Sequence, residues 1–173
     1  MTFPNGDTYF SEPYYQSQTN SSAYNYGYRD PIIGAIESKR LYLSNVITAA
    51  STGKPLVVLA SPIFSGEKLN NSIIGLLELG FNLKQFDNLI KSESLDLNDT
   101  RLLLVDNNGT KISNSKSNTS KLDTFKSLQS IEKAKSGHVG SMAEVINGRN
   151  MSVSYAPIDI AQSKWILLSI TPD

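Results

Sequence analysis

Two apolar runs separated by a short polar stretch place the strongest restriction on the fold of this chain. Leu56–Phe64 and Ile73–Phe81 are rich in aliphatic and β-branched residues, and Gly66 lies in the polar stretch between them. Short apolar runs bounded by Gly, Pro, Ser and Asn are typical of adjacent β-strands. The pattern therefore predicts an antiparallel hairpin with its turn near Gly66.

The same pattern returns about 95 residues later, which is a domain-sized offset rather than that of a solenoid. In each copy a glycine turn precedes a first strand that contains a proline, and a second apolar strand follows. The matching pairs are Gly53 and Gly148, Val58 and Val153, and Pro62 and Pro157. We interpret this as an internal repeat, so the chain is expected to contain two similar modules.

Further segments predict short helices and strands around each hairpin. The first half contains a helix from Pro31 to Ser38 with Asp30 as its N-cap, a strand at Leu41–Ala50 and a helix at Asn82–Ser92. The second half contains a hairpin turn at Asp106–Gly109, after which come strands at Gly137–Val145, Met151–Ala156 and Trp165–Ile170. Antiparallel sheets with segregated helices define the α+β class. The polar stretch Ser92–Asp99 gives predicted modules at residues 1–91 and 92–173.

Composition excludes several functional classes. The 16 basic and 16 acidic residues balance, and no basic stripe indicates nucleic-acid binding. Cysteine is absent and His138 is the single histidine, so a metal cage or a catalytic triad would have to be built around that residue. We expect no catalytic residue, no metal and no cofactor. No apolar run is long enough to span a membrane, and no signal peptide is visible.

The segment Tyr24–Asp30 is the most informative candidate for a binding site. Arg29 lies between the aromatic-rich loop Ser11–Gly27 and the start of a helix. Arginine can bind a carboxylate or phosphate through two parallel hydrogen bonds, and tyrosines can supply an apolar wall. The alternative is a structural ion pair from Arg29 to Asp30 or Glu37. From these residues alone both interpretations stay open.

A series of motifs makes the sequence resemble a double Cache domain over nearly its whole length. In order they are FPNGDTYF, YRDP, LYLSNVITAASTGKP, VVLASPI, IIGLLELGFNLKQF, LLVDNNGTKIS and GRNMSVSYAPI. Such domains are extracytoplasmic ligand-binding regions of histidine kinases, chemoreceptors and diguanylate cyclases. The resemblance implies two tandem PAS-like modules, the first membrane-distal and ligand-binding, the second membrane-proximal. It also implies a histidine kinase that is a homodimer when intact, and a chain excerpted after the family's long first helix, with membrane contact only through flanking segments.

The resemblance also implies where a ligand would bind. Amino-acid-binding members carry a Tyr and an Arg at the spacing of Tyr24 and Arg29, followed by a Trp where Pro31 stands here. Their next Tyr and Asp correspond to Ile47 and Ala49, and their ammonium-binding Asp corresponds to Gly80. Because an unpaired buried charge is costly, we expect a small carboxylate or a neutral molecule rather than an α-amino acid. The expected ligand-binding residues are Tyr24, Tyr28, Arg29, Asp30, Ile47, Ala49, Ser61 and Gly80.

Three other functions are compatible with parts of this pattern. A cytoplasmic PAS-type cofactor domain would show a visible absorption band when purified. A ligand-silent structural module of a receptor would have a site filled by side chains such as Ile47. A small hydrolase would need a base and a nucleophile, for which the sequence offers no candidate pair.

Overall fold

The computed structural model describes residues 1–12, 25–66, 72–94, 97, 99–116 and 123–173. The chain forms two compact units, Met1–Phe81 and Asn82–Asp173, which we call unit 1 and unit 2. The boundary predicted after Lys91 lies farther along the chain than this division after Phe81, because the second helix of the chain belongs to unit 2. Within the described ranges, none of the helices combines the length and the apolar character that crossing a membrane requires.

Unit 1 is a four-stranded antiparallel sheet with one helix. The elements are α1 (Asp30–Ser38), β1 (Tyr42–Leu43), β2 (Ile47–Thr48), β3 (Pro55–Phe64) and β4 (Ile73–Asn82). Strands β1 and β2 pair along one edge of β3, with Tyr42 opposite Ala60 and Thr48 opposite Pro55, and β4 pairs with β3. Since a strand has only two edges, β4 takes the other one. The predicted hairpin is confirmed as β3–β4, while residues 67–71 of its turn lie outside the described residues.

Helix α1 packs its apolar face on this sheet, where Ile32 and Ala35 are buried with Ala60 and Leu76. Proline in the first turn supplies a fixed φ that suits a helix start. Asp30 was expected at the N-cap, but the N-cap is Arg29 and Asp30 is the first helical residue.

The carboxylate of Asp30 accepts hydrogen bonds from β1 and from Asn45, in the connection after β1, instead of capping the helix. Asp30 accepts hydrogen bonds from the Tyr42 hydroxyl at 3.0 Å and from the backbone N–H of Asn45 at 2.7 Å. The side-chain amide of Asn45 adds a third bond at 3.3 Å. The start of α1 is thereby attached to the connection between β1 and β2.

The strand predicted at Leu41–Ala50 is interrupted, so that prediction is corrected to the two short strands β1 and β2. Ser44 causes the break, because its hydroxyl accepts from the N–H of Val58 at 2.9 Å and donates to the carbonyl of Asn45 at 2.7 Å. Serine side chains compete with backbone ladder bonds in this way. The N–H of Asn45 is then free to bond Asp30.

The first residues of the chain extend the sheet beyond β4. Thr2 exchanges two backbone hydrogen bonds with Leu76, at 3.0 and 2.8 Å. Isolated bridges join Thr8 to Thr2 and Asp7 to Asn25. Gly6, which immediately precedes Asp7, has φ +89°, and its carbonyl accepts a hydrogen bond of 2.8 Å from the N–H of Tyr26. The turn therefore holds the segment that leads into α1.

Unit 2 is a five-stranded antiparallel sheet with two helices. The elements are α2 (Lys84–Glu93), β5 (Arg101–Val105), β6 (Lys111–Asn114), α3 (Gln129–Lys135), β7 (Gly140–Ile146), β8 (Arg149–Ile160) and β9 (Ser163–Pro172). The strand order is β6-β5-β9-β8-β7. The predicted α+β class is confirmed, since each unit joins an antiparallel sheet to short helices.

The core of unit 2 lies between α3 and its sheet, where Ile131 and Ala134 are buried. Helix α2 buries Asp87 on its inner face and leaves Leu89 exposed. Asp87 accepts a hydrogen bond of 2.8 Å from Ser113 on β6. These contacts explain why α2 belongs to unit 2.

The internal repeat has a structural counterpart. Gly53 precedes β3 with φ +67° and Gly148 precedes β8 with φ +75°, and both glycines face open space. Positive φ of this kind favours glycine. Each glycine leads into a long strand that is followed by an antiparallel partner, β3–β4 in unit 1 and β8–β9 in unit 2.

Candidate functional site

An open cavity of about 190 Å³ lies in unit 1, against the sheet and beside the first turn of α1. Its floor is apolar, with Ile47 and Ala49 from the β2 side and Leu56 and Val58 from β3. The volume is below the several hundred Å³ typical of drug-sized sites. The cavity therefore suits a ligand with few heavy atoms.

Arg29 is the cationic group of this cavity. Its Nη2 donates a hydrogen bond of 2.9 Å to the carbonyl of Thr48 on β2, and its guanidinium lies 5.2 Å from the centre of the Tyr26 ring. The ion pairs considered for Arg29 with Asp30 or Glu37 do not occur among the described residues. Because guanidinium has five N–H donors in a planar fork, Arg29 retains donors for a ligand.

Glu78 on β4 is the anionic group of the cavity. Its Oε1 accepts a hydrogen bond of 2.7 Å from the hydroxyl of Thr2, which is itself buried. In the parts of the chain that are described, no ion pair involves Glu78. Thr2 thus fixes one oxygen of the carboxylate and leaves the other available.

The predicted ligand-binding residues are partly brought together. Arg29, Ile47, Ala49 and Gly80 line the cavity. Tyr28 and Asp30 do not line it: Tyr28 is 74% exposed, and Asp30 is engaged by Tyr42 and Asn45. Tyr24 lies outside the described residues.

Ser61 does not line the cavity either, and the alternation of strand side chains explains why. Leu56, Val58 and Ala60 on β3 face α1 and the cavity, so Ser61 points to the opposite face of the sheet. A contact between Ser61 and a ligand in this cavity therefore stays a prediction without support from the cavity lining.

Tyr26 and Glu78 are the lining residues with polar side-chain chemistry beside Arg29 that the predicted set omitted. Tyr26 was one of several tyrosines in the loop, and only the turn in which Arg29 N–H bonds to its carbonyl at 2.8 Å places its ring under the guanidinium. Glu78 precedes Gly80 by two positions, so both side chains share one face of β4. That spacing is the sequence feature from which Glu78 could have been predicted as a lining residue.

Gly80 leaves room at the position where amino-acid-binding relatives were expected to carry Asp. A Cβ built there would meet only the Leu56 Cδ1 atom, at the ordinary contact distance of 3.7 Å. Gly80 is also not among the glycines with positive φ. A side chain could therefore be accommodated at this position.

Comparison with known proteins agrees with this architecture. The family model of the Cache domain matches residues 1–173. A comparison with curated protein sequences gave no match. The structure is similar to the periplasmic sensory domain of the Campylobacter jejuni chemoreceptor Tlp1, with a TM-score of 0.67 and 14% identity over 84% of this chain and 55% of that one.

Two ligand-binding domains of Pseudomonas aeruginosa PAO1 chemoreceptors are also similar. PctB in complex with L-Gln has a TM-score of 0.67 and 15% identity over 96% of this chain and 64% of that one. PctC in complex with GABA has a TM-score of 0.67 and 17% identity over 98% and 71%. This chain spans little more than half the length of the Tlp1 domain, and at such identities the likeness shows the fold alone.

The family match over the whole chain goes further than these fold similarities. It agrees with the two antiparallel sheets, with the repeated strand pair and with the cavity against the first sheet. The chain therefore belongs to the Cache domain family, the extracytoplasmic ligand-binding sensor domains of membrane receptors.

Proposed function

We propose that the cavity of unit 1 is the ligand site of this sensor domain and that Arg29 binds the carboxylate of a small metabolite. The observation that carries the proposal is the guanidinium of Arg29, which lines the cavity without a described ion-pair partner. A carboxylate would form a charge-assisted bidentate pair with it. The site combines one cation, one carboxylate and an apolar floor. The function proposed for it is ligand binding without catalysis.

The relatives support a carboxylate ligand. PctB and PctC were observed with L-Gln and GABA, and both molecules carry a carboxylate. The apolar floor formed by Ile47, Leu56 and Val58 would contact the carbon skeleton of such a ligand. The histidine kinase output, the dimer and the membrane-distal position of unit 1 stay predictions.

Replacing Arg29 by glutamine is expected to weaken binding of small carboxylates by about tenfold or more. Hydrogen bonds to charged groups contribute about 1.5–3 kcal/mol, and each 1.4 kcal/mol corresponds to a tenfold change in affinity. The measurement is a thermal-shift screen of small carboxylates, amines and neutral metabolites, followed by calorimetry on each hit. Ligand at about 100 times its dissociation constant should stabilise the protein by roughly 2.7 kcal/mol.

Arg40→Gln is the matched control, since Arg40 is exposed, does not line the cavity and loses the same charge. Circular dichroism of both variants checks that each remains folded. Equal carboxylate affinity in Arg29→Gln and the native protein would refute the assignment. A complete absence of hits with folded protein would favour a ligand-silent module.

A further inference from the structure

Most outer sides of the two sheets carry described hydrogen bonds to other parts of the chain. In unit 1, Thr2 pairs with β4, and the side chains of Arg29 and Asp30 bond backbone groups beside β1 and β2. In unit 2, the N–H of Lys111 on β6 donates a hydrogen bond of 2.8 Å to the carbonyl of Asp123. Such contacts keep an outer strand from pairing with another chain.

Strand β7 is the remaining outer strand, and it differs from the others at its free side. Only two residues separate Ile146 from Arg149, so these residues form a hydrogen-bonded pair between β7 and β8. Because backbone groups alternate along an antiparallel strand, those of Ser141, Ala143 and Val145 point away from β8. Within the described ranges, no hydrogen bond uses the backbone groups of these three residues.

Strand β7 also lacks the features that normally protect an outer strand. It pairs with β8 without a register shift, and it contains no proline or lysine. Its one charged residue is Glu144, whose carboxylate accepts hydrogen bonds from the N–H and the hydroxyl of Ser130. The side chains of Ser141, Ala143 and Val145 are small and exposed. An open groove of about 360 Å³ between β7 and the residues that precede α3 leaves room beside the strand.

We propose that β7 is a dimerisation edge, to which a second copy of the chain adds its own β7 in antiparallel orientation. The edge is self-complementary, which is the reason for assigning it to a second copy. When the two-fold axis passes beside Ala143, this residue faces its own copy and Val145 faces Ser141 of the second copy. This register forms about six hydrogen bonds between the strands. It also sets Glu144 opposite Met142 of the second copy, so no like charges oppose each other.

The size of this edge predicts a weak dimer. Two paired strands of this length bury less than the roughly 800 Å² per partner that is typical of a stable interface. We therefore expect a dissociation constant of about 0.1–1 mM, well above that of a stable complex. Analytical ultracentrifugation of the full chain between about 10 μM and 1 mM should show the average mass rising from one copy towards two.

A charge exchange at Ala143 tests the register. Ala143→Lys and Ala143→Glu should each weaken the dimer by at least about tenfold, because like charges then oppose each other at the axis. An equimolar mixture of the two variants should dimerise again, since opposite charges then meet. Ser152→Lys is the matched control, because Ser152 is exposed opposite Ala143 on β8, one strand farther from the second copy. Circular dichroism checks that each variant is folded.

Three results would overturn the proposal. Native protein that stays monomeric throughout the concentration range excludes the dimer. A dimer that persists unchanged in Ala143→Lys uses a different surface of the chain. Binding of an added extended peptide at β7 without self-association would assign the edge to a different partner. Restored association in the mixture of the two charged variants, with Ser152→Lys like the native protein, supports β7 pairing. None of these results depends on carboxylate binding in unit 1.

Discussion

Gly6→Ala is expected to destabilise unit 1 by about 3 kcal/mol or more. An alanine at φ +89° carries the left-handed penalty of about 1–2 kcal/mol, and overpacking typically adds 1–3 kcal/mol. Its Cβ would lie 2.0 Å from the backbone nitrogen of Gly27 and 2.4 Å from its Cα. Because these are backbone atoms, no side-chain rotation relieves the overlap. Urea denaturation followed by circular dichroism measures the loss.

Gly53→Ala isolates the conformational part of this cost. Gly53 has φ +67°, but a Cβ there would meet nothing within 4 Å. We therefore expect a loss of only about 1–2 kcal/mol. Equal destabilisation by the two substitutions would show that the Gly6–Gly27 contact imposes no steric restriction. The Gly6 carbonyl accepts from the Tyr26 N–H, so a backbone shift that relieves the overlap moves Tyr26, and Gly6→Ala should also reduce the thermal shift caused by ligand.

Asp30→Ala is expected to destabilise unit 1 by about 1.5–3 kcal/mol, the range for hydrogen bonds to a charged group. The substitution leaves the Tyr42 hydroxyl, the Asn45 N–H and the Asn45 amide without their acceptor. The connection between β1 and β2 would then lose its attachment to α1. Denaturant titration gives the stability, and calorimetry at low temperature gives the ligand affinity of the protein that remains folded.

Tyr42→Phe is the matched control, because it deletes only the hydroxyl bond and should cost about 1 kcal/mol. If Asp30 positions the strands, Asp30→Ala will change stability more than it changes the affinity of the folded protein. A large loss of ligand affinity in a variant of native stability would instead indicate that Asp30 contacts the ligand.

Strand pairing was the part of the fold most accessible from sequence. The aliphatic runs of β3, β4 and β9 and the recurrence of the glycine turns at Gly53 and Gly148 carry that information in consecutive residues. The break after β1 was not accessible in this way. It arises because Ser44 bonds to Val58, a residue brought near only by the completed sheet.

Only part of the candidate site could be predicted from the sequence. Arg29 stands out because an arginine beside tyrosines at a helix start has a recognisable chemistry. Glu78 does not stand out, since a single acidic residue in an apolar strand could equally face solvent. Its role depends on the register of β4 and on Thr2, which lies far away in sequence and contacts it only in the folded unit.

The space beside Gly80 has an evolutionary consequence. A glycine codon that ends in U or C becomes an aspartate codon through a single nucleotide change, and the backbone at this position accepts a side chain without overlap. The ammonium-binding carboxylate expected in amino-acid receptors and the one offered here by Glu78 occupy the same face of the same strand. A single substitution at Gly80 could therefore add a second carboxylate to this face of β4 while unit 1 stays folded.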